Sequence, residues 1–127
     1  MSMPLTLKKI LQSIKNMQTE IITNENGTAI KYPDGTMICT LQTTVTDQAI
    51  DNAYGNLYQA QRVWNFPVPF IEKPAVSCSE FQWGSGASWG SIRGASATSA
   101  TLRGTDIASR STGTNVSISA IAIGRWK

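Results

Sequence analysis

Two tryptophans and three arginines share one stretch, FQWGSGASWGSIRGASATSATLRGTDIASR, over residues 81–110. Indole faces stack on the apolar faces of sugars, while arginine, serine and glutamine side chains hydrogen-bond hydroxyls. Trp83, Trp89, Arg93, Arg103 and Arg110 are therefore the candidate ligand-binding residues, and residues 83–93 the candidate platform. Gly84, Gly86 and Gly90 leave little apolar surface there to compete for the rings. The alternative places Trp83 and Trp89 in the core or at a subunit interface, and residue type does not choose between the two. Trp64 and Trp126 read as core. The run WGSGASWG is not a phosphate cradle, because it lacks the Lys-Ser/Thr ending of a P-loop and the strand–helix setting of a dinucleotide site.

Catalysis has little to draw on. The chain has no histidine, which removes the imidazole base and nearly all zinc sites. Glu80 with Asp106 is the carboxylate pair that suggests glycoside hydrolysis, but nothing in the sequence brings the two together. No catalytic residue, metal or cofactor is expected. Cys39 and Cys78 fall in apolar stretches, where a free thiol packs as a small hydrophobe; whether they pair stays open. A formal charge of +3 with only Lys8 and Lys9 adjacent forms no basic stripe, so no nucleic-acid partner is expected. No signal-peptide core or membrane-length apolar run occurs, so no membrane insertion is expected and synthesis belongs in a reducing cytoplasm.

The elements that must position these residues fall into two parts. Over residues 4–21, Leu7, Ile10, Ile14, Met17 and Ile21 recur at spacings of three and four, an a/d seam. The segment reads as a short helix, either lying on its own domain or forming a stem between chains. Residues 22–127 read as strands. NENGT and YPDGT are turn signals around a first hairpin, and a second hairpin turns near Ser96 to Thr98. The stretch DQAIDNAYGNLYQAQRV shows no period and reads as loop or helical turn. In AVSCSEFQW, alternation puts Val76 and Cys78 on one face and Phe81 and Trp83 on the other. The proline-rich WNFPVPFIEKP is confined to an edge or corner. About six to seven short strands point to a mainly β, antiparallel sandwich after a short helix.

The final stretch NVSISAIAIGRWK begins with a wet face, Ser117 and Ser119, and ends with none. Ile121 and Ile123 turn that face apolar, so this strand belongs at the centre of a structure, with its Ile-bearing end covered by the second sheet and by another copy of the chain.

NGTAIKYPDGTMIC, WNFPVPFIEKPAVSCS and the terminal AIGRWK, in this order, resemble the tip domains of tailed-bacteriophage tail-fibre and receptor-binding proteins, which are H-type-lectin-like. The resemblance spans roughly residues 24–127. It implies a homotrimeric sandwich in a virion tail, attached to other phage tail proteins through the N-terminal helix and binding a bacterial surface glycan. Leu7, Ile10, Ile14, Met17 and Ile21 would then be the oligomerisation seam, with Ile121 and Ile123 near the three-fold axis or in the inter-sheet core. The short segment before the tip reads as a small virion protein or a trimmed tip. A purely structural tail adaptor or cap is the alternative, and a glycan depolymerase a distant third.

Overall fold

The computed structural model describes residues 4–127. One helix and nine strands follow in order: α1 (Leu5–Asn16), β1 (Glu20–Asn24), β2 (Gly27–Lys31), β3 (Thr36–Val45), β4 (Asn52–Tyr54), β5 (Leu57–Asn65), β6 (Ala75–Trp83), β7 (Trp89–Ala95), β8 (Ser99–Asp106) and β9 (Val116–Arg125). They build two antiparallel sheets, β1-β2-β3-β9-β6 and β4-β5-β8-β7, packed as a sandwich. The expected class holds, with more strands than the six or seven expected.

The helix is shorter than its heptad. Met17 caps it, and Ile21 lies on β1 opposite Ile30. The β-branched run around Ile21 to Thr23 favours an extended chain. The Asn24–Gly27 turn then pairs it with β2, so sheet pairing overrides the helical period. Asn24 Oδ1 accepts from the Asn26 amide. Gly27 is indispensable to that turn, since its φ is +117° and a Cβ would lie 2.1 Å from the Thr40 carbonyl oxygen. The seam residues Leu7, Ile10 and Ile14 stay about half exposed, uncovered by their own chain.

The stretch expected to be loop, DQAIDNAYGNLYQAQRV, is largely the β4–β5 hairpin. Gly55 at φ +62° opens a two-residue Gly55-Asn56 turn of the type that matches strand twist. β6 departs from simple alternation as well. A bulge between Cys78 and Glu80 shifts the pairing by one, so Val76, Cys78, Phe81 and Trp83 all turn to one face. Strict alternation had split them.

The inner faces form one core. Met37, Cys39, Cys78, Phe81, Ile118 and Ala122 from the larger sheet meet Ala60, Trp64, Ala100 and Leu102 from the smaller. Trp64, Phe66 and Phe70 close one end edge to face, with centroids 5.0 and 5.1 Å apart. Both cysteines are free and buried, and burial pushes the Cys39 thiol up to about 11. The sheets close tightly at β7 and β8 because Gly90 and Gly104 lack side chains. A Cβ on Gly104 would lie 2.2 Å from the Phe81 ring.

β9 is central, as its two apolar sides require: it pairs with β3 and β6 at once. Val116, Ile118, Ala120 and Ala122 point into the core. Ile121 and Ile123 point out of the sandwich, at 36% and 47% exposure, which excludes the inter-sheet core for them. Register sets Ile21, Ile30, Ile38, Ile123 and Ala75 in one transverse row on this outer face.

Candidate functional site

The five candidate ligand residues divide into three groups. Trp83, the last residue of β6, meets Arg110 of the loop after β8, Trp89 and Arg103 share the outer face of the smaller sheet, and Arg93 stands apart.

The loop group is organised by Asp106, the last residue of β8, which is fully buried. Ser88 Oγ donates to its Oδ2 at 2.6 Å, and the Ala108 amide to its Oδ1 at 2.9 Å. Arg110 forms an ion pair with it at 3.1 Å. Burial acts to raise the Asp106 pKa, but the bonds from Ser88, Ala108 and Arg110 together outweigh it and hold the carboxyl below its ordinary value. Arg110 also lies 4.9 Å from the Trp83 ring centroid. The Trp83 indole N–H donates to the Ser111 carbonyl at 2.8 Å, and Gln82 Nε2 donates to the Gly86 carbonyl. Backbone bonds between Arg110 and Ile50 tie in the loop before β4. Trp83 and Arg110 are therefore fasteners joining loops 84–88 and 107–115.

The face group follows from strand register. Trp89, Thr105, Gln59 and Asn52 form one transverse row across all four strands, and Ser91, Arg103 and Gln61 the next. The inner neighbours of these residues are Gly90, Gly104 and Ala60, so the side chains named here project outward. Trp89 is 45% exposed and Tyr54 51%. The Arg103 guanidinium lies 5.2 Å from the Tyr54 ring centroid. Thr105 is buried on an outer face, which requires its neighbours to close over it. Gln59 Oε1 and Arg103 Nε are buried without a hydrogen-bond partner. The arrangement offers aromatic surface, amide and hydroxyl groups and one guanidinium on a shallow face, the chemistry that carbohydrates need.

Arg93 lies in the β7 bulge between Ile92 and Gly94, exposed and beside the Lys73–Val76 segment. Tyr54 and Gln59 were missed by sequence reasoning, because both sit in the stretch read as loop. The signal that could have found them is Gly55-Asn56, flanked by Tyr54-containing and Leu57-Tyr58-containing runs. Glu80 and Asp106 do not meet: Glu80 accepts from Ser119 Oγ on the outer face of the larger sheet, while Asp106 is buried among the loops. Trp126 is only partly buried; its N–H donates to Tyr32 and its ring carries Lys31 and Lys127 at 5.2 and 4.9 Å.

The fold is shared with solved tail-fibre structures. A Pseudomonas aeruginosa R1 pyocin fibre, C-terminal residues 323–701, matches at 18% identity and a TM-score of 0.59 over 84% of this chain and 28% of that one. An N-truncated R1-type pyocin tail fibre matches at 13% identity and a TM-score of 0.60, over 98% of this chain and 99% of that one. No protein-family model matches the sequence, and no curated protein sequence does so either. The class these observations define is a tail-fibre-like antiparallel sandwich with a short N-terminal helix.

Proposed function

We propose that this chain is a tail-fibre tip or small tail protein of a tailed phage, homotrimeric, that binds a host surface glycan without cleaving it. The carrying observation is the contrast between the two outer faces of the sandwich. The larger sheet presents a row of isoleucines, and the smaller presents Trp89, Tyr54, Arg103 and glutamines. Self-association covers the first and leaves the second free, so three copies of one weak site would act with avidity. Helix α1 extends the assembly with its uncovered Leu7, Ile10 and Ile14 and supplies the docking segment for other tail proteins. The likeness in fold to pyocin tail fibres supports a place in the virion tail, with assembly in the host cytoplasm.

The test is a glycan array probed with the purified chain, followed by titration of the hits. Trp89→Ala should weaken binding by about tenfold or more, within the range of an interfacial aromatic anchor, and leave the oligomer unchanged. An intact oligomer that binds no glycan would refute the adhesin reading and leave a structural adaptor or cap.

A further inference from the structure

We propose that the outer face of the smaller sheet selects acidic saccharides, with a sugar carboxylate or phosphate docking on Arg103. This rests on the glycan-binding reading above and adds the ligand's chemical class.

The argument begins with the arginines that have carboxylate partners. Arg62 pairs with Asp47 at 3.3 Å and Arg110 with Asp106 at 3.1 Å. Arg125 donates to the backbone carbonyls of Asp34 and Lys127. Arg103, by contrast, has no carboxylate within ion-pair distance and its side chain makes no hydrogen bond among the described residues. Its Nε is nonetheless buried and unpartnered. Withdrawing part of a guanidinium from water without a counter-ion or acceptor is unfavourable, and an anion supplied from outside removes that cost. No strand residue on this face is acidic, so nothing there repels such a ligand.

Geometry adds a second constraint. Arg103 is stacked on Tyr54, which orients the planar fork that suits carboxylate and phosphate oxygens. Gln59 Oε1, one outward-facing row away on β5, is a buried acceptor without a donor, and a sugar hydroxyl is a donor. Tyr54 borders the exposed β4–β5 turn. The two unsatisfied groups stand on adjacent rows of one face. Trp89, in the same row as Gln59, then takes the apolar face of the sugar.

The experiment titrates the intact chain by calorimetry and backbone-amide NMR with matched probes. One arm compares trigalacturonic acid with the neutral galactose trisaccharide, the other galactose 6-phosphate with galactose. The acidic member of at least one pair should bind about tenfold tighter, the scale of a charge-assisted hydrogen-bonded pair. Which arm responds distinguishes carboxylate from phosphate. Arg103→Gln should abolish the preference while neutral binding persists, and Arg103→Lys should keep part of it. Raising salt from about 0.05 M to about 0.5 M should weaken only the acidic arm. Equal affinity for acidic and neutral probes in both arms, or a preference that survives Arg103→Gln, overturns the proposal. Trp89-dependent neutral binding without acidic preference overturns this inference alone. No binding of any probe overturns this inference, and the glycan reading falls with it only when the glycan array is blank as well.

Discussion

Ile123→Ala should loosen the assembly while leaving the folded subunit nearly unchanged. Ile123 is 47% exposed on the outer face of the larger sheet, flanked by Ile38 on β3 and Ala75 on β6. The substitution removes three carbon groups, worth about 0.8 kcal/mol each when fully buried. Only the exposed half of that transfer is still to be gained on association, which leaves about 1 kcal/mol per subunit. Three subunits lose about 3 kcal/mol, or about two orders of magnitude in the association constant. For a monomer–trimer equilibrium, the concentration of half-dissociation varies as the square root of that constant, so it should rise about tenfold. Sedimentation equilibrium over a dilution series reads this directly, with Ser117→Ala on the wet end of β9 as the control. Ile118→Ala, on the core side of β9, should instead cost the subunit itself about 2–5 kcal/mol. A stable monomer at micromolar concentration, or a midpoint unmoved by Ile123→Ala, would refute the assignment of this face.

Two further predictions concern the supports of the candidate site. Gly104→Ala sets a Cβ 2.2 Å from the Phe81 ring; it should destabilise by about 1–3 kcal/mol, and Phe81→Leu in the same chain should restore part of the loss in a thermal melt. Asp106→Asn breaks the buried pair with Arg110 and should cost about 3 kcal/mol in urea unfolding, the low end for such pairs because Arg110 reaches solvent. The folded Asp106 pKa lies below its ordinary value, so its contribution is complete above about pH 4 and is lost as pH falls through the folded value. Wild type should therefore lose more stability than Asp106→Asn between about pH 5 and about pH 2; parallel losses would show that Asp106 does not hold the loops.

Much of this arrangement was legible because it depends on alternation. The hairpin at Pro33 to Gly35, the turn at Ser96 to Thr98 and the central place of β9 all follow from apolar spacing and turn residues. What failed were the places where one interaction overrides a local pattern. The heptad through Ile21 is a valid helical period, but residues 20–24 gain more by pairing with β2. The β6 bulge at Ser79 reverses every later side chain, and no residue type announces it. Trp83 and Arg110 are legible as ligand candidates from residue type alone, but their contact with each other depends on Asp106. That residue reaches them through two loops whose contacts are non-local. Trp89 and Arg103 share an outer face that residue type cannot reveal, and Tyr54 and Gln59, which complete that face, are hidden in a hairpin carried by one glycine.

The last strand shows where sequence reasoning stops. Two apolar sides on β9 demonstrate that both need cover, and the core-facing side, Val116 to Ala122, is covered by the second sheet. The other side, Ile121 and Ile123, joins isoleucines from three other strands in a continuous band. A band of that kind arises only from register, because Ile21, Ile30 and Ile38 are scattered in sequence and each alone is an ordinary exposed or half-buried residue. The exposed seam of α1 is a second apolar surface that its own chain leaves open. The tryptophan and arginine face of the smaller sheet lies on the opposite side of the sandwich, so burying the isoleucine band would leave it open.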